Sequence, residues 1–255
     1  MKKRPAAEQR AQQWAEKLVA RINPVDLERL SAQMLTTIDQ VSAARWDAAV
    51  ERASTLKGDI RPEKIKSLTN SFALELGAFG GAAGVAAAAP MVGTAATFLA
   101  TTAELAWFTT RAGDLILTVA ALHGRPNPTV DERRAWLLAV LIYGGSARDG
   151  FTTALNQVAT GLSPAAGSKV SLATLQSVNR LMSRMLIRRY GTRRGLVAFG
   201  TALPLGLGAV VGGGSNYMAI RKLARHADEF FTRLPYSAID ATAIDITGRL
   251  PRSTE

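Results

Sequence analysis

Three ionisable residues at helical spacing are the first candidates for chemistry in this sequence. Glu104, Arg111 and Asp114 fall on one face of a predicted helix, among Leu, Trp and Phe. Charged groups in such surroundings are costly to bury unless they are paired. We therefore predict a buried salt-bridge cluster that fixes the helix register. Two alternatives stay open: a polar site for a headgroup or an ion that faces Asn216, and an enzyme in which Glu104 and Asp114 form an acid–base pair with perturbed pKa values.

The other candidate nucleophiles and metal ligands follow no recognised spacing. His123 and His226 are the two histidines of the chain, and neither belongs to an HExxH motif. Ser146, in "YGGSARDG", lacks the flanking pattern of a nucleophile elbow. The sequence contains no Cys, which excludes disulfides, thiolate metal sites and Cys nucleophiles. We predict no metal site, no cofactor and no enzymatic activity.

A run of arginines is the strongest functional signal in the sequence. Between residues 180 and 194 six arginines occur without an acidic residue, directly before a long uncharged segment. Basic side chains beside an apolar segment suit anionic lipid headgroups, at about 1 kcal/mol per residue near the surface. The alternative is a solvated basic face, or one that pairs with the acidic N-terminal helices. The predicted membrane or anion contacts are Arg180, Arg184, Arg188, Arg189, Arg193 and Arg194.

The overall charge also favours a polyanionic partner. The 255 residues include 31 Lys and Arg against 20 Asp and Glu, a formal net charge of +11. Nucleic acid and the anionic cytoplasmic leaflet of a membrane both attract such an excess. Because aromatic residues make up only 6% of the chain, few side chains could stack on bases. We therefore expect a membrane surface as the partner, with no nucleic acid, and a location at the cytoplasmic face.

The elements that must position these residues are helices. Helical periodicity covers nearly the whole chain, and no segment alternates with period two. Asn23 is the predicted N-cap of a first helical segment that continues to a break at Gly58. A long helix is predicted over residues 92–122, Asn127 repeats the capping signal, and Gly191 is the predicted C-cap of the arginine-bearing helix. The sequence predicts an all-α protein with a single compact helical domain.

Two uncharged segments are predicted to lie at the centre of the fold. Residues 76–103 and 195–220 both exceed the roughly 20 residues that cross a bilayer, but their glycines, Pro90 and Pro204 oppose insertion. Glycines four residues apart let two helix backbones approach closely. We predict two Gly/Ala-rich helical hairpins or kinked helices, either as a soluble core or as membrane-inserting elements. The predicted packing glycines are Gly77, Gly81, Gly84, Gly208, Gly212 and Gly213.

The stretch "LPLGLGAVVGGGSNYMAIRKLARHADEFF" resembles the C-terminal signature of the EcsC family. The order of the preceding helices is similar as well, so that the resemblance covers residues 65–235. It implies a bacterial helical protein of undefined activity, in a family named from an operon with an ABC transporter. His123 departs from the family pattern, in which many relatives have Tyr before the same Gly. The matching positions are Pro204, Gly208, Ala209, Gly212, Gly213, Asn216, Tyr217 and Ala224.

These observations divide the chain into three parts. N-terminal amphipathic helices are predicted over 1–60, an EcsC-like helical domain over 61–235 and a loose tail over 236–255. We predict a non-catalytic, membrane-associated protein at the cytoplasmic face, with a role beside an ABC transporter implied by the resemblance alone. The alternative is a soluble helical module that holds a small ligand between its Gly-rich helices.

Overall fold

Every regular element in the described part of the chain is a helix, which confirms the predicted all-α class. The computed structural model describes residues 24–87, 94–158, 170–192 and 214–234. A single turn of 3₁₀ helix, Gly144–Ser146, links two of the α-helices. The α-helices are α1 (Pro24–Ala44), α2 (Trp46–Thr55), α3 (Arg61–Ala87), α4 (Thr94–Leu122), α5 (Val130–Tyr143), α6 (Ala147–Val158), α7 (Leu172–Tyr190) and α8 (Gly214–Arg233).

Helix α4 lies at the centre of the fold. Its residues 112–120 are all buried, and Leu115, Ile116 and Leu117 are at most 1% exposed. A helix that is apolar on all sides must be surrounded by other elements. Helices α1, α2, α3, α5 and α8 supply that surrounding. The resulting core is continuous from Leu27 in α1 to Leu234 after α8, so the N-terminal helices share it with the rest of the described chain.

The same helix contains a stretch that could cross a bilayer by length and composition. Within the described residues this stretch is Leu105–Leu122, with a mean hydropathy of 1.2. It is 67% buried inside the fold, and it carries Arg111 and Asp114. Because the core helix of a soluble protein passes the same test, the apolarity of α4 is explained by the helices packed around it.

The first helical segment is broken where the sequence predicts continuity to Gly58. Arg45, with φ −108° and ψ 5°, separates α1 from α2, although its N–H still donates to the Val41 carbonyl and its own carbonyl accepts from the Ala49 N–H, each at 3.1 Å. No Gly or Pro marks this position. Arg45 instead directs its guanidinium at Asp114 of α4, at 2.6 and 2.8 Å. The break therefore follows from a tertiary contact that local sequence does not encode.

The N-terminus of α5 also differs from the predicted one. The sequence places the cap at Asn127, but Asn127 lies in the preceding loop with φ 27°. Thr129 is the N-cap: its hydroxyl accepts a hydrogen bond from the Glu132 N–H, and Glu132 accepts one from the Thr129 N–H. This reciprocal capping box satisfies two backbone N–H donors at the start of α5. Those donors would lack these partners if Asn127 were the cap. The predicted C-cap of α7 is confirmed, since the Gly191 N–H donates to the Ile187 carbonyl at 2.7 Å.

Candidate functional site

Helix α7 presents a row of exposed arginines. Arg180, Arg184, Arg188 and Arg189 are all exposed, while the opposite face of the helix buries apolar side chains such as Met182. The 19 residues of α7 include no acidic residue. Within the described part of the chain, none of these four guanidinium groups forms an ion pair with a carboxylate. Arg180, Arg184 and Arg188 follow a four-residue spacing along one side of α7, and Arg189 lies about 100° around the helix from Arg188. We call these four residues the arginine face.

Two of the three acidic side chains of the neighbouring helix α1 form ion pairs with residues outside α7. Asp39 pairs with Arg134 of α5 at 2.7 Å, and Asp26 pairs with Arg29 of its own helix at 3.4 Å. The sequence left open whether the arginines neutralise the acidic N-terminal helices. In the described residues of α1, the ion pairs that form do not include the arginine face.

Buried hydrogen bonds hold α7 against α5. The side-chain amide of Asn179, itself 0% exposed, donates to the carbonyl oxygen of Asp131 at 2.9 Å, near the start of α5. The hydroxyl of Tyr190 donates to the carbonyl oxygen of Leu141 at 2.8 Å, near the end of α5. Because the two bonds lie at opposite ends of the interface, the arginine face has a fixed direction relative to the core.

A buried charge cluster joins α4 to the α1–α2 break and to α3. Asp114, with a side chain 6% exposed, receives a bidentate contact from Arg45 and an ion pair from Arg111 at 2.9 Å. Arg111 also pairs with Glu75 of α3, which Arg52 of α2 approaches to 3.6 Å. These five residues bring three positive and two negative groups together at helix contacts.

An aromatic ring completes this charge cluster. The guanidinium carbons of Arg52 and Arg111 lie 5.1 and 4.7 Å from the centre of the Phe72 ring. Burial lowers the pKa of Arg111, and Asp114 opposes that effect, while hydrogen bonds to Asp114 raise the pKa of Arg45. Asp114 stabilises Arg45 and Arg111 as ions, whereas the positive charges of Arg52 and Arg45 lower the pKa of Arg111 further.

The predicted polar site is brought together only in part. Arg111 and Asp114 form an ion pair, and their further partners, Arg45 and Glu75, carried no sequence signal because they lie 36 to 69 positions away. Glu104 belongs to α4, but its side chain lies outside the described residues. The side chain of Asn216, in α8, also lies outside them.

Most of the predicted packing glycines, and the last two arginines of the run, lie outside the described residues or have no described contacts. Gly77, Gly81 and Gly84 belong to α3, but their surroundings are not among the described contacts. The following positions lie outside the described residues altogether: Asn23, Pro90, Arg193, Arg194, Pro204, Gly208, Ala209, Gly212, Gly213 and the 236–255 tail.

His123 and Arg125 connect the end of α4 to α8. The Nε2 atom of His123 lies 2.8 Å from the Asp228 carboxylate, which Arg61 approaches to 3.6 Å. Arg125 donates hydrogen bonds to the carbonyl oxygens of Phe231 and Leu234, at 2.8 and 2.6 Å. A guanidinium at the last carbonyls of a helix complements its dipole. Both residues therefore fasten the C-terminal end of α8 to the core.

The second histidine and the candidate serine lie at the 3₁₀ turn. His226 of α8 packs on Gly144 and Gly145, where an added Cβ would come within 3.1 to 3.3 Å of its ring. Ser146 is exposed at the end of that turn. Within the described ranges, no three His, Asp or Glu side chains are grouped so that they could hold a metal ion.

Comparisons with known proteins add no relative. No protein-family model, no curated protein and no solved structure matches this chain. The resemblance to the EcsC family therefore stays a prediction from the residues that carry it.

Proposed function

We propose that this protein binds anionic membrane surfaces from the cytoplasmic side through the arginine face of α7, and that it does so without catalysis. The observation that carries the proposal is the combination of four exposed arginines on a helix that has no acidic residue. Arg180, Arg184 and Arg188 recur every four residues and span about 12 Å along the helix, so one flat surface could meet them together.

The electrostatic free energy is sufficient for reversible binding. Each Lys or Arg near an anionic leaflet contributes about 1 kcal/mol, so four side chains contribute about 4 kcal/mol at low salt. Arg193 and Arg194 follow directly in the sequence and extend the same basic run. The formal net charge of +11 adds long-range attraction toward a negative surface.

The resemblance to the EcsC family extends this proposal to a partner. If the chain is a member, its place at the membrane is beside an ABC transporter. The alternative function, a ligand held between the Gly-rich helices, depends on side chains outside the described residues. The arginine face is therefore the better basis for an experiment.

Sedimentation with liposomes tests the proposal. The purified full chain should sediment with vesicles that contain anionic lipid and stay in solution with neutral vesicles. Binding should weaken as salt rises, because ions screen exposed charges beyond about 8 Å at physiological ionic strength. Changing Arg180, Arg184, Arg188 and Arg189 to Gln should weaken binding at least tenfold, since about a third of the expected 4 kcal/mol suffices for that factor.

A variant with the same loss of charge provides the matched control. Lys57, Lys66, Lys222 and Arg233 are exposed and lie outside α7, so their change to Gln removes four charges without touching that helix. This control should bind anionic vesicles nearly as well as the parent chain. Equal losses in the two variants would show that net charge alone governs binding and would reject the arginine face. Preference for duplex DNA over anionic vesicles at equal salt would also reject the proposal.

A further inference from the structure

A cleft of about 480 Å³ lies between α2, the start of α3 and the end of α4. One part of its lining is apolar and includes Trp46, Val50 and Leu122. Val50 lines this cleft and is 44% exposed. Pockets of this volume that combine apolar walls with a few polar groups are typical of small-molecule sites.

The remaining lining of the cleft is mainly cationic. Arg61, Lys64 and Arg125 contribute three positive charges, against one carboxylate from Asp59. Within the described residues, no carboxylate forms an ion pair with the Lys64 ammonium group. Among the lining residues the positive charges therefore exceed the negative charges by two, while Arg61 also lies 3.6 Å from Asp228, a carboxylate outside the lining.

Two of the three cations, Arg125 and Arg61, have partners elsewhere in the fold. Arg125 is 8% exposed and anchored by its hydrogen bonds to the end of α8. Arg61 lies 3.6 Å from Asp228, which also contacts His123. Fixed charges beside an apolar wall act through a lower effective dielectric than charges in open water. An anionic group placed there would meet donors that need little reorganisation.

We propose that this cleft binds a small amphipathic anion, in which a carboxylate or phosphate group is attached to an aromatic or short aliphatic body. The anionic group would meet Arg61 and Lys64 at the start of α3, and the apolar body would lie against Trp46, Val50 and Leu122. The site is separate from the proposed membrane contact, because α7 packs on α5, α1 and α6 whereas the cleft is formed by α2, α3 and α4. Either proposal can fail while the other holds.

A ligand series that differs only in charge tests the chemistry of the site. We choose 1-naphthoate, 1-naphthyl phosphate, neutral 1-naphthalenemethanol and cationic 1-naphthylmethylammonium, each titrated into the full chain by calorimetry. The two anions should bind at least tenfold more tightly than the alcohol, and the cation should bind most weakly. The stronger of the two anions identifies whether a carboxylate or a phosphate is the better fit. Equal affinity for anion and alcohol, or no anion binding at millimolar concentration, would overturn the proposal.

Two pairs of variants test the location of the site. Lys64→Gln should weaken anion binding about fivefold or more, whereas Lys66→Gln, on the same helix outside the lining, should leave it unchanged. Val50→Trp should fill the cleft and abolish binding, whereas Val130→Trp, at a similarly exposed valine of α5, should not. The changed side chains are all partly or fully exposed, and circular dichroism verifies that each variant is folded. Unchanged binding in both Lys64→Gln and Val50→Trp would overturn the assignment.

Discussion

Asp114 has more charged partners than its position in an apolar helix would suggest. Its carboxylate contacts Arg45 from the α1–α2 break and Arg111 from its own helix. Asp114 is 6% exposed at its side chain, Arg111 is 13% exposed and Arg45 is 40% exposed. The strongly buried part of the network is therefore Asp114 with Arg111, and Arg45 keeps partial access to water. Removing the carboxylate leaves a buried guanidinium that has lost a charged partner.

We expect Asp114→Asn to destabilise the fold by about 3 kcal/mol, the lower end for breaking a buried pair, because Arg45 can regain water. Urea unfolding followed by circular dichroism measures the change. Asp26→Asn is the matched control, since it removes a carboxylate from the outer pair with Arg29, which is 70% exposed. The control should lose less than about 1 kcal/mol. Similar losses in the two variants would contradict a structural role for the cluster.

At the scale of elements, the contact between α1 and α4 depends on a glycine that the sequence did not single out. A Cβ at Gly113 would lie 2.6 Å from Cγ1 of Val41, closer than side chains approach in proteins. The predicted packing glycines were chosen for their four-residue spacing. Gly113 has no such partner along the helix, and its requirement comes from the stiff, β-branched side chain across the interface.

Replacing Gly113 by Ala tests this close contact. A helical Gly→Ala change normally stabilises by about 1 kcal/mol. Overpacking should cost about 1–3 kcal/mol here, so we expect Gly113→Ala to destabilise the parent chain. In a Val41→Ala background the same change should become neutral or stabilising, and the double-mutant cycle measures that coupling. Equal effects in the two backgrounds would show that α1 and α4 are not in close contact at this position.

The ends of helices were predictable where local chemistry decides them. Gly191 ends α7 as expected, because its N–H can close the last turn. Asn127 and Thr129 are both plausible caps by residue type, and the choice depends on Glu132, three residues after Thr129. Arg45 could not be predicted, because the break there follows from a contact with residue 114. In these two cases, capping signals therefore locate the end of a helix to within two residues. An interruption that accompanies a tertiary contact, such as the one at Arg45, has no signal in the local sequence.

At the scale of the whole molecule, the sequence predicted the all-α class but not which residues meet. Arg180, Arg184 and Arg188 could be assigned to one helix face from spacing alone, and burial of the opposite face agrees with that pattern. His123 and Asp228 lie 105 residues apart, and no single-sequence pattern relates them. The cleft beside α2 is likewise formed from three helices, so its cations were not visible as a group.

The burial of His123 at the end of α4 makes global stability depend on pH. Burial lowers the pKa of His123 below its ordinary value of 6.5, although the hydrogen bond to Asp228 opposes this effect. The positive charges of Arg61 and Arg125 lower that pKa further. Because the folded state binds the proton less readily than the unfolded state, stability is complete above about pH 6.5 and falls as the pH drops below that value.

His226 contributes in the same direction, two residues before Asp228 in α8. Burial is again the main cause of its lowered pKa, followed by the charges of Lys222 and Arg225, and Glu229 opposes them. Both histidines hold α8 to the rest of the fold, His123 from the end of α4 and His226 on the 3₁₀ turn. Their protonation should therefore destabilise the molecule as a whole and not only a surface loop.

We expect the free energy of unfolding in urea to fall between pH 7.5 and 5.5, a window above the range in which most carboxylates titrate. His123→Gln keeps a donor for Asp228 but cannot gain a proton, so it should reduce the pH dependence. His226→Gln should reduce it as well, and the double variant should be nearly flat over this window. If the double variant loses as much stability as the parent between pH 7.5 and 5.5, other groups must take up the protons. The two histidine rings would then have the same pKa in the folded and unfolded states.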